Sequence, residues 1–182
     1  DISAEKLMKI VQDCQTDVHD FWSAYFYLHF YTVNTAKLSE NVWKEAEKML
    51  EQIQKYPQKE EYQKLVEADR INLYEREAEK GDDRKFLEET DRVFKENLKG
   101  DPAWKLYERK LVYLESKQPD ISREFERFLK KYPKVMDAYV EYSIYLCRNN
   151  KMTQAQRVYR EGRKRTGMIS KRAEELRRKL GL

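Results

Sequence analysis

Residues 137–167 read "DAYVEYSIYLCRNNKMTQAQRVYREGRKRTG", two amphipathic segments separated by the polar break Asn149-Asn150. The apolar and small positions of these segments recur at intervals of three and four residues: Tyr139, Tyr142, Leu146, Ala155 and Tyr159. Such spacing puts side chains on one face of a helix, whereas a half-buried strand would alternate strictly. The stretch therefore predicts a pair of packed helices, with Ala155 and Gly162 where the two helices cross closely.

Segments of the same kind fill the rest of the chain, divided by breakers at Pro57, the Gly100-Asp101-Pro102 turn, Pro133 and Gly167. With 38% charged and 40% hydrophobic residues but only 5 glycines and 4 prolines, the composition favours long amphipathic helices. No segment shows the alternation of a strand. We expect helices over about 3–14, 17–33, 39–55, 59–80, 83–98, 102–116, 121–131, 134–148, 152–165 and 169–180, with a merger of the first two as the alternative.

Aromatic pairs open alternate helices, which indicates an internal repeat. The first members of these pairs lie 40, 42 and 35 residues apart and are Trp22, Tyr62, Trp104 and Tyr139. The sequence "KYP" closes two of the pairs, at 55–57 and 131–133. A helix pair recurring at this spacing is typical of an α-solenoid. The sequence thus predicts an all-α, right-handed α-solenoid of about four stacked antiparallel helix pairs.

We expect residues 1–182 to form a single helical-repeat domain, capped at its end by the helix over 169–180. The inward face of this cap is predicted to hold four apolar residues at helical spacing: Ile169, Ala173, Leu176 and Leu180. The chain begins with Asp1 rather than Met, which suggests a piece of a longer protein.

The repeat resembles the half-a-TPR (HAT) family, a variant of the tetratricopeptide repeat. The resemblance lies in "AWKLYERKLVYLE" at 103–115 and "AQRVYREGRKR" at 155–165, where aromatics dominate the first helix and an Ala precedes an aromatic in the second. It covers residues 101–167 well and 17–100 less well. The chain departs from the HAT pattern of the second helix at two positions. Arg157 is displaced by one residue, and Gly162 lies near the position where the family usually has its final alanine. An ordinary tetratricopeptide repeat is the alternative.

This resemblance implies a function as well as a fold. HAT proteins are non-catalytic scaffolds of RNA-processing machines, and some of them form dimers. The resemblance therefore implies a protein–protein interaction scaffold in a nuclear RNA-processing complex, with a cytoplasmic location as the alternative. Its partners are expected to be proteins, including a second copy of the chain.

The residue inventory argues against an enzyme. The two histidines, His19 and His29, have no cysteine or carboxylate cluster at metal-ligand spacing, and there is no glycine-rich phosphate loop or nucleophile elbow. Cys14 and Cys147 lie far apart within helical segments and are expected to be reduced core thiols. No apolar run is long enough for a membrane span. We expect no catalytic residue, metal or cofactor, and no membrane contact.

The C-terminal end of the chain is basic. Residues 151–182 hold 11 Lys/Arg against 3 Asp/Glu, a net charge of +8. The candidate basic patch consists of Arg163, Lys164, Arg165, Lys171, Arg172, Arg177, Arg178 and Lys179. Three interpretations are open: a solvated terminal face, a contact for an acidic protein, or a contact for an RNA backbone.

A binding groove is predicted on the first helices of the pairs, at positions one, five and nine residues after each repeat aromatic. The candidate groove residues are Tyr27, Tyr31, Lys105, Arg109, Tyr113 and Arg148, accompanied by Ser23, Val140 and Ile144. A surface that is aromatic at one end and cationic at the other is expected to prefer an acidic peptide or helix with apolar anchors.

Alternatives to this groove are also open. Lys105, Arg109 and Arg148 partly resemble the carboxylate clamp of a chaperone-type peptide adaptor. Tyr113 is alternatively packed under the next repeat. The apolar run "FWSAYFYLHFY" at 21–31 is expected on a central helix between its neighbours, with Trp22, Tyr25, Phe26 and His29 on one face, or else to present tyrosines for docking.

Overall fold

The structure, a computed structural model, describes residues 6, 9–11, 13, 18–34, 42–57, 59–96 and 100–182, without the side chains of 101 and 102. In these ranges all regular structure is helical, and no strand is present. From residue 21 onward the helices are α1 (Phe21–Asn34), α2 (Val42–Ile53), α3 (Glu60–Glu79), α4 (Arg84–Lys95), α5 (Gly100–Glu115), α6 (Ser122–Lys131), α7 (Met136–Arg148), α8 (Met152–Thr166) and α9 (Lys171–Lys179). The all-α prediction is confirmed.

Local chemistry explains where these helices begin and end. Asp20 and Ser23 form a reciprocal cap at the start of α1, in which the Ser23 N–H donates to the Asp20 carboxylate at 2.7 Å and the Asp20 N–H donates to the Ser23 hydroxyl at 3.2 Å. The Ser170 hydroxyl accepts the Ala173 N–H at 3.1 Å and caps α9. Gly167 ends α8 at φ 65°, a left-handed conformation that glycine adopts without strain.

The chain divides into two compact units, Asp1–Glu89 and Thr90–Leu182, with the boundary inside α4. In the first unit α1 packs on α2 and on α3; in the second α5 packs on α6 and α7, and α7 on α8 and α9. In each unit, therefore, one helix contacts both the helix that follows it in sequence and the helix after that. Stacked helix pairs require this pattern of contacts. The handedness of stacking and the single-domain organisation stay predictions.

The core of the first unit is built by α1, α2 and α3. Every three or four residues α2 presents a buried side chain to it: Val42, Ala46, Met49, Leu50 and Ile53. From α1 the buried residues are Phe21, Ala24, Leu28, Tyr31 and Thr32. This periodicity explains why α2, whose other face is charged, forms a helix that packs on one side only.

The core of the second unit is aromatic. The Phe125 and Tyr142 rings stack with centroids 4.8 Å apart, and Trp104 meets the Phe128 ring edge-on at 5.0 Å. The repeat aromatics Trp104, Tyr107, Tyr139 and Tyr142 are all buried. Ala155 and Gly162 are buried too, and Gly162 lies directly against Tyr139 of α7, so the predicted close helix crossing is confirmed at Gly162.

In the first unit the predicted repeat aromatics lie differently. Trp22 is 51% exposed and Leu65 is 40% exposed, while Tyr25 and Tyr62 are half-buried. The expected face of Trp22, Tyr25, Phe26 and His29 is therefore not the core face of α1. The core face starts one residue earlier, at Phe21, because an almost wholly apolar helix offers several faces to a core.

The last helix differs from the prediction at one position. Ala173, Leu176 and Leu180 are buried as predicted, but Ile169 is 65% exposed. Because Ser170 caps the helix and α9 begins at Lys171, Ile169 lies in the connecting segment before the helix. The inward placement of Ile169 is therefore wrong.

Among the helices of the described ranges, none combines the length and apolar character that crossing a membrane requires.

Candidate functional site

The predicted groove residues of the first unit do not form an accessible surface. Tyr31 has no exposed surface and belongs to the core, so its prediction as a docking residue is wrong. Tyr27 is half-buried and packs against the same core. Ser23 uses its side chain in the cap of α1. Ala24, Leu28 and Tyr31 follow one another at intervals of four and three residues and are all buried. This face of α1 therefore packs in the core.

In the second unit the groove positions divide between core and surface. Val140 has no exposed surface, so its place in the groove is wrong. Lys105 and Arg148 are exposed, whereas Arg109 and Tyr113 are half-buried. The Lys117 ammonium lies 5.6 Å from the centre of the Tyr113 ring. The Arg148 guanidinium is hydrogen-bonded to Glu115 at 3.1 Å.

The residues of the basic patch lie at the end of α8 and along α9. Three of them are bonded to carboxylates: Arg165 to Glu161, Arg172 to Glu141 and Arg177 to Glu174. Arg163 is half-buried. Four more are exposed and have no ion pair among the described residues: Lys164, Lys171, Arg178 and Lys179. This surface keeps a positive charge that its own carboxylates do not neutralise.

A cleft between α7, α9 and the start of α8 joins the two predicted surfaces. We call it the α7–α9 cleft; its volume is about 330 Å³. Its apolar lining comes from Ile144, Met152 and Leu176, with Cys147 beside them. Its charged lining comes from Arg148, Arg172, Glu175 and Lys179. Arg148 and Ile144 are predicted groove residues, and Arg172 and Lys179 are predicted patch residues.

Cys147 contributes a soft, apolar surface to this cleft. Its sulfur lies 4.0 Å from the Met152 sulfur, and burial raises the pKa of its thiol. A thiol with a raised pKa is mostly protonated at neutral pH and behaves as a small apolar group. Cys14 lies outside the described residues.

A second cavity, of about 510 Å³, lies on α6, α7 and α8. Lys130, Arg157 and Arg165 line it together with Glu126 and Glu161. Glu161 is bonded to Arg165 at 2.7 Å, and Glu126 accepts the Tyr142 hydroxyl at 3.2 Å. The lining therefore holds three cations and two carboxylates, so both signs of charge are present in this cavity.

Two polar clusters were not foreseen from the sequence. In the first unit the buried Asp69 carboxylate lies 3.0 Å from His29 Nδ1 and accepts the Thr32 hydroxyl at 3.1 Å. In the second unit the buried Lys110 ammonium donates to Asp91 at 2.8 Å and to Glu124 at 3.1 Å. Each cluster joins residues of different helices, so spacing along the chain does not reveal it.

The Lys110 cluster is electrostatically balanced. Burial alone would raise the pKa of Asp91 and of Glu124. Lys110 and Arg127 outweigh burial at Asp91, and the Tyr107 hydroxyl together with these two cations does so at Glu124, so both pKa values lie below their ordinary values. The Tyr107 hydroxyl donates to Glu124 at 2.5 Å, and burial together with this carboxylate raises the pKa of Tyr107. All these carboxylates are ionised and paired, which suits a structural role.

The described residues contain no group of three or more His, Cys, Asp or Glu side chains arranged to hold a metal ion.

Comparison with known proteins gives no family: the chain matches no family model, no curated protein and no solved structure.

Proposed function

We propose that this chain is a non-catalytic scaffold that binds other proteins within an RNA-processing complex. The observation that carries the binding part of this proposal is the α7–α9 cleft, whose apolar lining is bordered by Arg148, Arg172 and Lys179. Apolar area supplies affinity, and bordering charges select the partner. The RNA-processing setting and the nuclear location come from the resemblance of residues 101–167 to HAT repeats.

The packing of the second unit also supports a scaffold. Its repeat aromatics are used in the core, and its unforeseen polar cluster around Lys110 is internally neutralised. Packing and charge pairing account for both features, as a scaffold would have it.

Co-purification from native extract, with and without ribonuclease, tests this proposal. A scaffold is expected to retain the same protein partners after ribonuclease treatment, because protein contacts hold them. Loss of every partner on ribonuclease treatment would contradict it.

Direct RNA binding is the second candidate. The observation that favours it is the set of four exposed cations without ion pairs, Lys164, Lys171, Arg178 and Lys179, which phosphates could neutralise. The chaperone-type clamp has less support, because Arg148 is bonded to Glu115 and Arg109 is half-buried.

A further inference from the structure

We infer that the α7–α9 cleft binds an acidic protein segment by enclosing one of its aliphatic side chains, while Lys179 pairs with a neighbouring carboxylate. This inference rests on the proposed scaffold function and names the chemistry of one partner. It also gives α9 a binding role beyond that of covering the last helix pair.

The lining of the cleft selects an apolar side chain. Ile144, Met152 and Leu176 come from three different helices and converge on one space, so the apolar surface is concave rather than flat. At about 330 Å³ the space is near the lower end of ligand cavities, which measure about 300–1,000 Å³. It has room for an aliphatic side chain.

The charge that the edge of the cleft offers to a partner is that of Lys179, and it favours an anion. The lining includes three cations, Arg148, Arg172 and Lys179, and one carboxylate, Glu175. Glu115 and Glu141 bond the two arginines, which leaves Lys179 exposed and without an ion pair in the described structure. The net charge of +8 over residues 151–182 extends the same preference beyond the cleft. A carboxylate placed beside Lys179 would be attracted by both the near and the far charges.

The lining favours a protein over a nucleic acid. Among the described residues that line the cleft none is aromatic, whereas single-stranded nucleic acids bind by stacking bases on aromatic side chains. Isoleucine, methionine and leucine side chains match an aliphatic anchor instead.

Two short fluorescein-labelled polyglutamate peptides test this inference, one with a central leucine and one with serine in its place. Fluorescence anisotropy with the unmodified chain measures their affinities. The leucine peptide is expected to bind about tenfold more tightly, because only leucine gains by leaving water. Equal affinity of the two peptides, or no binding of the leucine peptide, would overturn the inference.

Variants with matched controls locate the site. Lys179→Glu is expected to lower the affinity for the leucine peptide about tenfold, because it places a negative charge beside the acidic peptide. The control Arg178→Glu, on the same helix but outside the cleft, is expected to change this affinity less than about threefold. Met152→Ser is expected to reduce the preference for leucine over serine, and Met168→Ser, also exposed but outside the cleft, to leave it unchanged. All four side chains are exposed, so folding should persist and is checked by thermal unfolding.

Equal losses for Lys179→Glu and Arg178→Glu would show a general basic surface and overturn the cleft as the site. The scaffold proposal is judged separately, by ribonuclease-resistant co-purification. If partners persist while the peptides show no leucine preference, the cleft inference fails and the scaffold stands. If ribonuclease removes all partners, the scaffold fails.

Discussion

Gly162 lets α8 approach α7 with no side chain between the helix and Tyr139. A Cβ at this position would lie 2.6 Å from Cβ and Cγ of Tyr139, closer than packed carbon atoms come. Alanine normally stabilises a helix relative to glycine by about 1 kcal/mol, but this contact opposes the gain. The backbone of Tyr139 or of α8 must move to accept the extra atom.

We therefore expect Gly162→Ala to destabilise the fold by about 1–3 kcal/mol, since overpacking a close crossing displaces backbone. Urea unfolding followed by circular dichroism measures the change. Arg160→Ala, on the exposed face of the same helix, is the control and is expected to be nearly neutral. A midpoint raised by Gly162→Ala would contradict this account.

Ala155 and Trp104 test the packing of the repeat at its small and its large position. Both are buried. Ala155→Leu is expected to cost about 1–3 kcal/mol by overpacking, and Trp104→Ala about 3–5 kcal/mol by leaving a cavity. Thermal unfolding measures both, and Gln154→Leu, on the exposed side of α8, serves as the control for adding a leucine. An unchanged midpoint for Ala155→Leu would show that the packing is misassigned.

Lys110 gives the stability of the second unit a dependence on pH. The pKa values of Asp91 and Glu124 are lowered in the folded protein. Their stabilisation is therefore fully present above their unfolded pKa values, about 4, and is lost as pH falls through the lower folded values.

We expect Lys110→Met to destabilise the protein at neutral pH by about 1–3 kcal/mol, because two carboxylates lose a buried donor. Its loss of stability between about pH 5 and pH 2 should also be shallower than that of the unmodified chain. Denaturant unfolding at several pH values measures both, with Lys105→Met, an exposed lysine of the same helix, as the control. Parallel pH profiles for Lys110→Met and the unmodified chain would exclude this role.

At the scale of a helix, α9 depends on its cap. The Ser170 hydroxyl is the acceptor for the Ala173 N–H, and α9 contributes Leu176 and Lys179 to the cleft. Ser170→Ala is expected to weaken α9 by about 1 kcal/mol and to speed amide hydrogen exchange within it. Ser170→Asp keeps an acceptor at the same position and should preserve protection. Faster exchange in α6 as well would point to general destabilisation rather than to the cap.

The ends of the helices were predictable, but the faces of some were not. Pro133 cannot continue a helix and Gly167 ends α8 in a left-handed conformation, so the predicted boundaries near them agree with α6 and α8 to within a residue or two. On α2 and α8 charged residues mark the outer face, and periodicity identifies the core. On α1 neither face is polar. Periodicity therefore could not decide between Trp22, which was predicted as the repeat aromatic, and Phe21, which the structure buries.

The candidate site was only partly predictable. Arg148 and Lys179 were both predicted to bind, on two separate surfaces. Their place on one cleft depends on how α9 lies across α7, which is set by burial of Ala173, Leu176 and Leu180 rather than by any local pattern. Spacing along a chain reports the faces of single helices, whereas a cleft arises from the packing of several.

For the whole molecule, the uneven charge sets the response to salt. The net charge is +4, but residues 151–182 alone carry +8. We expect a polyuridine oligonucleotide to bind at low ionic strength and to be released at physiological salt, because such binding gains mainly from released counterions. Fluorescence anisotropy across a salt series measures this. Tight binding that persists at physiological salt would favour RNA as the natural ligand.

Cys147 makes the cleft accessible to chemical measurement. Its raised thiol pKa leaves little thiolate at neutral pH, so alkylation by iodoacetamide should be slow and should accelerate as the solution becomes more alkaline. Because the thiol lies on the wall of the cleft, any molecule that fills this space must also shield the sulfur. The rate at which Cys147 is alkylated therefore reports the fraction of clefts that are occupied. Mass spectrometry measures this rate without attaching a label to either partner.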